Sequence, residues 1–195
     1  MTSEIYMHRR QGSQWNRHTL WRDACRGYRA VRLDSHPIKV VPSGDRRFWS
    51  DVDAGRWEPL TLSLLRDLCV PGTKYCDIGA WVGPTVLQAV NSGAEVVCFE
   101  PDPLAFERLL GNLRLNGVSR VVALNFALGQ EIGLRRMGAL VGSLGKSATS
   151  FLGAEASQTI MVPCLDWPSA LSLLGDPDFD FIKIDIEGGE VELLP

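Results

Sequence analysis

The sequence lacks several features that would indicate a class of protein at once. It contains no CxxC pair, no apolar stretch near 18 residues long, no apolar core of a signal peptide and no internal repeat. These absences weigh against membrane spanning, secretion and a repeat architecture. Because no two cysteines have the CxxC spacing, we expect reduced, buried thiols, as in a cytoplasmic protein, rather than metal ligands or disulfides. The five cysteines are Cys25, Cys69, Cys76, Cys98 and Cys164.

Length and charge indicate one domain with a basic front. The 195 residues, 45% of them hydrophobic, are enough for one α/β domain with a core. Residues 1–50 contain ten Lys/Arg and four Asp/Glu, whereas residues 51–195 contain ten and nineteen. Arginines alternate with aromatic residues in residues 1–50, and basic and aromatic side chains together could contact nucleic acid. We favour an amphipathic appendage that packs its tryptophans on a main domain formed by residues 51–195.

Two acidic residues follow apolar runs, Asp77 in YCDIGAWVG and Glu100 in VVCFEPDP. The pattern predicts a strand over 74–78, a glycine turn, a helix over 84–90 and a second strand over 95–99. Twenty-three residues separate the two acids, about the spacing between the first strand of a dinucleotide-type βαβ unit and the acid that binds ribose hydroxyls. The pair therefore predicts a nucleoside-binding edge.

The rest of the chain continues the alternation of strands and helices. Asp102 is the predicted N-cap of a helix that ends before Gly117, and Asp166 that of a later helix. Alternation predicts an α/β fold, a doubly wound and mostly parallel sheet with all strand carboxyl ends on one side. A small-residue stretch, 138–153, is a candidate mobile loop. The remaining predictions are helices over 59–68, with an apolar face of Leu60, Leu64, Leu65 and Leu68, and 166–174, and strands over 120–125, 132–136, 159–163 and 180–186.

Five acids and one amide collect at the predicted carboxyl edge. Carboxylates repel phosphate and attract hydroxyls, ammonium, sulfonium or metal. The glycine pattern is G-x-x-x-G rather than G-x-G-x-x-G, and Gly145-Lys146-Ser147 lacks the earlier glycine of a P-loop, because Leu140 stands there. A cationic adenosyl cofactor, S-adenosylmethionine, fits these residues. They are Asp77, Glu100, Asp102, Asn125, Asp185 and Glu187.

Several motifs together resemble the FkbM family of class I, S-adenosylmethionine-dependent methyltransferases, which implies a Rossmann-like fold. They occur in family order over residues 57–192, and the last is the most specific. The motifs are Trp57-Glu58-Pro59, YCDIGAWVG, CFEPDP with Leu109, Asn112 and Asn116 downstream, NFALG, LDWPSAL and FIKIDIEGGE.

The resemblance implies a role for each matching residue. Asp77, Gly79, Ala80 and Gly83 would form the cofactor loop, and Glu100 would hold the ribose. Pro101, Asp102, Asn125 and Ala127 would lie near the adenine, while Asp185 and Glu187 would face the methyl-transfer position. Simpler structural roles are open for three residues: Asp102 as a helix cap, Asn125 as a turn residue and Glu190 as a solvated first-turn residue. A metal site is not expected.

Two departures from the family pattern carry expectations of their own. Trp81 stands where the family usually has Asn, so a ring replaces a polar contact. The sheet is expected to be truncated after the fourth core strand, because Pro195 follows that strand closely and class I methyltransferases continue through three more. The apolar edge of DFIKIDI would then need a cover, such as residues 1–50 or a second subunit of a homo-oligomer, unless the sequence is a fragment.

The predicted reaction is methyl transfer to a hydroxyl oxygen of a sugar or small metabolite, with Asp185 or Glu187 as the base. Two other functions remain open at this point. One is a catalytically silent adenosyl-binding or interaction module, which Trp81 and the short sheet suggest. The other is a nucleic-acid methyltransferase guided by the basic front, although no Asn-Pro-Pro-aromatic motif for base-amine methylation follows the fourth strand.

Overall fold

The computed structural model describes residues 23, 26–42, 46–139, 149–150, 158–187 and 189–193. In chain order these ranges form β1 (Arg29–Leu33), β2 (His36–Val40), α1 (Arg46–Asp53), α2 (Pro59–Leu68), β3 (Lys74–Ile78), α3 (Pro84–Ser92), β4 (Glu95–Phe99), α4 (Pro103–Leu115), β5 (Val121–Leu124), β6 (Ala127–Leu128), β7 (Gly133–Ala139), β8 (Thr149–Ser150), β9 (Thr159–Leu165), α5 (Trp167–Leu173), β10 (Phe181–Ile184) and α6 (Glu190–Leu193).

A four-stranded parallel sheet is the centre of the fold, with the strand order β10-β3-β4-β5. From β3, the chain adds β4 and β5 on one side and later returns to add β10 on the other, so the strand order reverses between β3 and β10. The register sets Asp77 opposite Cys98 on β4 and opposite Lys183 on β10. Ligands of open α/β sheets bind at such a reversal, outside the strand carboxyl ends.

Helices cover both faces of this sheet, which confirms the doubly wound α/β prediction. On one face, α2, α3 and α4 enclose Tyr75, Val96 and Cys98 in a common core. On the other face, Ala170 and Trp167 of α5 pack with Cys76 and Phe99. The alternation arises because successive residues of a strand point to opposite faces, and both faces of these strands are apolar.

The prediction for the apolar face of α2 is partly wrong. Leu65 is buried, but Leu60, Leu64 and Leu68 are exposed, and Leu62 packs into the core instead. Leu62, Leu65 and the buried Cys69 recur at i, i+3 and i+7, which is a helical stripe as regular as the predicted one. A leucine-rich helix offers two such stripes, and its docking on the domain decides between them.

A second, mixed sheet of order β6-β9-β7-β8 contains the strands that simple alternation assigned to the parallel sheet. β9 runs antiparallel to β7 and parallel to β6. Antiparallel strands can pair without a helical crossover between them, so β7 and β9 form a separate sheet and do not extend the parallel one. Only residues 138, 139, 149 and 150 of the stretch 138–153 are described, and the mobile-loop prediction otherwise lies outside the described residues.

The amino-terminal part contributes to the core of the domain. β1 and β2 form an antiparallel hairpin whose Leu33 and Val40 are fully buried with the core of the first sheet face. Trp49 of α1 is buried in the same core, and residue 50 lies inside this helix. The prediction for the basic and aromatic residues before Asp23, Trp15 and Trp21 among them, lies outside the described residues.

Two asparagines of α4 hold the hairpin in place. The amide oxygen of Asn112 accepts from the backbone N–H of Val41 at 2.8 Å, and its amide nitrogen donates to the carbonyl of Val82 at 2.8 Å. Asn116 bonds both backbone groups of Lys39, at 2.9 and 2.7 Å. The hairpin, α4 and the turn before α3 are thereby joined by side-chain hydrogen bonds.

Candidate active site

A cavity of about 510 Å³ opens at the carboxyl edge of the parallel sheet, where the strand order reverses. Its wall includes Gly79 and Ala80 after β3, Glu100 after β4 and Asp185 after β10. A volume in the range of roughly 300–1,000 Å³ is typical of small-molecule sites. The predicted edge is therefore a concave site that several strand ends build together.

Gly79 allows the ends of β3 and β10 to approach each other. It has φ +86°, and a Cβ atom there would lie 1.9 Å from the backbone oxygen of Asp185. The N–H groups of Gly79 and Ala80 both donate to the carbonyl of Phe99 at 3.0 Å. Gly83 has a different role, because a Cβ atom on it would lie 2.4 Å from Cδ1 of Leu109 in α4. Gly79 thus shapes the cavity wall and Gly83 the packing of α3 on α4.

Glu100 lies in the cavity wall with its carboxylate fixed by backbone groups. Oε1 accepts from the N–H of Asp102 at 2.8 Å, and Oε2 accepts from the N–H of Trp81 at 2.7 Å. The residue is only 7% exposed, and this burial raises the pKa of Glu100 to about 7 against the opposing effect of both N–H groups. Each oxygen retains a lone pair, so the carboxylate can accept hydrogen bonds from ligand hydroxyls.

Asp77 occupies a buried ionic cluster behind the cavity wall. The hydroxyl of Thr85 donates to its Oδ2, and Nζ of Lys183 lies 3.3 Å from its Oδ1. Burial raises the pKa of Asp77, an effect that Lys183 and Thr85 counter. The same ammonium lies 3.4 Å from Oδ2 of Asp185. Asp77 is 0% exposed and is not among the described residues that line the cavity, and its carboxylate contacts Thr85 and Lys183 behind the wall.

Lys183 is a cavity residue that the sequence analysis missed. Its side chain is 14% exposed, and burial alone would lower the pKa of Lys183, but the carboxylates of Asp77 and Asp185 outweigh this and raise it. The sequence contains a signal for this residue. A lysine inside the apolar run FIKI is expected to be buried, and a buried ammonium is costly unless an acidic side chain pairs with it.

Two predicted adenine-side residues have structural partners. Asp102 caps α4 by accepting from the N–H of Leu104 at 2.9 Å, and Asn125 donates to the carbonyls of Glu100 and Pro101 at 2.7 and 3.0 Å. These are the simpler roles that the sequence left open, and neither residue lines the described cavity. Pro101 and Ala127 do line it. They form an apolar part of the wall with Phe126, Leu128 and Met137.

Asp185 and Glu187 lie on the cavity wall after β10. The Asp185 side chain is 53% exposed, and the backbone N–H of this residue donates to the carbonyl of Ile78 at 2.9 Å. Partial burial, together with Asp185 and Glu190, raises the pKa of Glu187. Glu190 is more than a solvated first-turn residue, because its Oε1 accepts from the N–H of Ile186 at 2.7 Å. The segment after β10 therefore presents two carboxylates to the cavity.

Aromatic rings form another part of the wall, and of these the sequence places only Trp81 at the site, in the cofactor loop. Phe48 of α1 lies between Trp81 and Trp57, with ring centroids 4.4 and 5.2 Å apart. Trp81 has φ +48°, a conformation that Asn adopts more readily than Trp, which gives a physical reason for Asn at this family position. Arg47, Asp51 and Glu58 lie beside these rings in the lining.

The family model of the FkbM methyltransferase domain matches residues 77–195, more than half of the chain. The chain belongs to this family. The match begins at Asp77 and includes Glu100, Lys183 and both carboxylates after β10. The FkbM resemblance of the separate motifs is confirmed. The comparison with curated proteins gives no significant match.

Solved structures that resemble the chain do so over part of its length. They include a SAM-dependent methyltransferase from Agrobacterium tumefaciens, with 16% identity and a TM-score of 0.40 over 50% of this chain and 32% of that one. The tRNA (uracil-54, C5)-methyltransferase of Pyrococcus abyssi has 19% identity and a TM-score of 0.39 over 60% and 26%. The 16S rRNA N2 G1207 methyltransferase of T. thermophilus has 25% identity and a TM-score of 0.39, over 50% of this chain and 27% of that one. The chain thus spans about a third or less of each of them.

Three further observations concern the described residues as a whole. Among the residues that the structure describes, no three His, Cys, Asp or Glu side chains are grouped to hold a metal ion. No described helix is both long and apolar enough to cross a bilayer. The four cysteines in these ranges, Cys69, Cys76, Cys98 and Cys164, are buried free thiols, as predicted.

Proposed function

We propose that the protein binds S-adenosylmethionine and transfers its methyl group to a hydroxyl oxygen of a sugar or small metabolite. The observation that carries this proposal is the fixed carboxylate of Glu100 in a cavity at the strand-order reversal, within a chain of the FkbM family. The donor set fits the cofactor. Glu100 offers acceptors for ribose hydroxyls, and the apolar wall around Pro101, Phe126 and Leu128 suits a purine.

When bound, the cofactor supplies an electrophilic methyl group on a sulfonium. The chain's own residues supply orientation and a proton acceptor. Asp185 and Glu187 can accept a hydrogen bond from the acceptor hydroxyl, and either can take its proton as the oxygen reacts. The Lys183 ammonium, at 3.4 Å, favours one orientation of the Asp185 carboxylate. Partial burial and the neighbouring carboxylates raise the pKa of Glu187, which strengthens this residue as a proton acceptor.

The charge of the cavity supports a neutral acceptor. Among the described residues, five acidic side chains line it, and the lining cations are Arg47 and Lys183. Arg56, outside the lining, pairs with Asp51 at 2.6 Å, but the carboxylates still outnumber the cations. Such a wall disfavours phosphate groups and accepts hydrogen bonds from hydroxyls. The acidic residues are Asp51, Glu58, Glu100, Asp185 and Glu187.

The cofactor assignment is tested by isothermal titration calorimetry of S-adenosylmethionine with the intact chain and with Glu100→Ala. We expect the substitution to weaken binding by about tenfold or more, because two hydroxyl hydrogen bonds to a charged acceptor are lost. Glu95→Ala is the matched control, since Glu95 is an exposed residue at the opposite end of the same strand. No binding to the intact chain, or equal affinity in both variants, would contradict the assignment.

The catalytic role is tested with Asp185→Asn and Glu187→Gln, made separately, by transfer of a labelled methyl group to neutral methyl glycosides. We expect one variant to lose transfer by about 10²-fold or more while keeping its cofactor affinity, as is typical for loss of a general base. Asp178→Asn, an exposed acid before β10, controls for charge. Full turnover in both variants would show that neither acid is the base. Cofactor binding by the intact chain without methyl transfer to any acceptor would favour the silent adenosyl-binding module.

A further inference from the structure

The three rings of Phe48, Trp57 and Trp81 form a continuous surface, which we call the aromatic wall. Phe48 meets both tryptophans edge to face, at interplanar angles of 68° and 81°. It also contacts Trp49, which is 4% exposed, at 4.7 Å and 63°. The wall is thus anchored in the hydrophobic core and presents preformed apolar surface to the cavity.

The aromatic wall belongs to a different part of the lining from the residues assigned to the ribose and purine. Phe48 and Trp57 come from α1 and the segment after it, whereas Pro101 and Phe126 follow β4 and β5. Trp81 joins the two parts, because its backbone N–H donates to Glu100 while its ring packs on Phe48. A second ligand in the same cavity would therefore meet the rings.

Polar groups of the same cavity narrow the chemistry of that ligand. Glu58 and Asp185 line the cavity together with Arg47, and Asp51 is paired with Arg56. Aromatic faces with nearby carboxylates suit a neutral ring that stacks its C–H face and donates its hydroxyls. The rings pack directly on one another, at 4.4 and 5.2 Å, rather than surrounding a central point as the rings of a cation cage do.

We propose that the aromatic wall is the acceptor subsite and that it binds a neutral polyhydroxylated ring, with Trp81 as the residue that sets this specificity. The inference rests on the proposed function and names its acceptor chemistry. Trp81 is well suited to the test, because Asn tolerates its positive φ better than Trp. Trp81→Asn therefore removes the ring while relieving backbone strain, and its backbone N–H stays available to Glu100.

The experiment is saturation-transfer difference NMR of the full chain with methyl glycosides of neutral hexoses, with and without S-adenosylhomocysteine. We expect saturation of the ring C–H protons in the intact chain. Trp81→Asn and Trp57→Ala should raise the dissociation constant of the glycosides about tenfold, and Trp57→Phe should restore part of it. Trp167→Phe, on the opposite face of the sheet, is the matched control and should bind as the intact chain does.

Hexose 6-phosphates and tetramethylammonium are measured as anionic and cationic probes, and calorimetry follows S-adenosylhomocysteine in every variant. Stronger saturation of either charged probe than of the glycosides would overturn the inference. So would unchanged glycoside binding in Trp81→Asn, or a matching loss of cofactor affinity, which would assign the ring to the cofactor. Glycoside binding is measured with and without the cofactor. Failure of the intact chain to bind the cofactor would therefore contradict the proposed function alone.

Discussion

At the scale of single residues, burial decides which charged groups of the site can change protonation near neutral pH. Glu100 is held by two backbone N–H groups, yet its burial raises the pKa of the carboxyl to about 7. A carboxylate on the surface would be ionised far below this pH. The proposed ribose contact is therefore a titrating group within the physiological range.

Glu100 predicts a pH dependence of cofactor binding. The ionised carboxylate accepts hydroxyl hydrogen bonds and the protonated group does so poorly, so affinity for S-adenosylhomocysteine should rise from pH 6 to pH 8. Because the pKa of Glu100 is about 7, the affinity should fall by at most about tenfold for each pH unit below 7. Calorimetry across this range measures the effect. Glu100→Gln should bind more weakly, with a flatter profile, and an equally steep profile in this variant would contradict the assignment.

Lys183 gives a second prediction at this scale. Lys183→Met leaves Asp77 buried without its cation, which should cost about 3 kcal/mol of unfolding free energy at pH 8. Burial sets the folded-state pKa of Asp77 above its unfolded value, and loss of the Lys183 ammonium would raise this pKa further. The cost should therefore shrink as the pH falls towards 5 and grow as the pH rises.

Urea unfolding at pH 5 and pH 8 measures the effect of Lys183→Met. The double variant Asp77→Asn with Lys183→Met is the control, and the difference from the intact chain should then lose most of its pH dependence. A pH-independent cost in the single variant would show that the Asp77 carboxylate is not what Lys183 neutralises.

At the scale of elements, the site depends on how closely the ends of β3 and β10 approach. Gly79 is the point of contact, because a side chain there would overlap the backbone of Asp185. By sequence, Gly79 belongs to a glycine turn that lets the backbone come close to a ligand, and the family resemblance assigns it to the cofactor loop. The neighbouring strand is a second reason for glycine, and it becomes visible only once β10 is placed beside β3.

Gly79→Ala should destabilise the protein by about 3–5 kcal/mol, through the left-handed φ and the clash between strands. Gly72→Ala is the matched control, since Gly72 has φ +94° with nothing within 4 Å of an added Cβ. Its cost should be about 1–2 kcal/mol from backbone strain alone. Denaturant unfolding gives the free energy of unfolding of both variants from the midpoints, provided that the slopes are equal. Equal losses of stability would show that the close approach of β3 and β10 does not require glycine at residue 79.

At the scale of the whole molecule, the amino-terminal hairpin and α1 are part of the domain that holds the site. α1 supplies Phe48 to the aromatic wall and Trp49 to the core. Asn112 links the hairpin to the turn that carries Val82. Its part-buried hydrogen bond to Val41 and its buried one to Val82 join segments that lie 71 and 30 residues from it in the chain. The stability of the hairpin and the shape of the cavity are therefore coupled through α4.

Asn112→Ala should lower the free energy of unfolding by about 2–4 kcal/mol, because it leaves the backbone groups of Val41 and Val82 unpaired. Asn116→Ala is the comparison, as it is one turn along α4 and bonds the same hairpin where water can replace it. Its cost should be about 1 kcal/mol or less. Thermal and urea unfolding give both values, and a larger cost for Asn116 would contradict the coupling through the buried amide.

The sequence by itself determined the local structure around the site. The strand bounds at 74–78 and 95–99, the Asp102 cap and the position of Glu100 followed from patterns within about ten residues, where local sterics and hydrogen bonding decide the outcome. The family followed from the order of such motifs.

Only the tertiary structure decided which distant residues meet. The pairing of β9 with β7, the burial of the hairpin and the aromatic wall depend on the docking of elements. The ion pair of Lys183 and Asp77 joins residues 106 positions apart, and no periodicity encodes such a contact. The physical reason is that burial and charge pairing are set by neighbours in space, which the sequence order of an α/β chain does not specify.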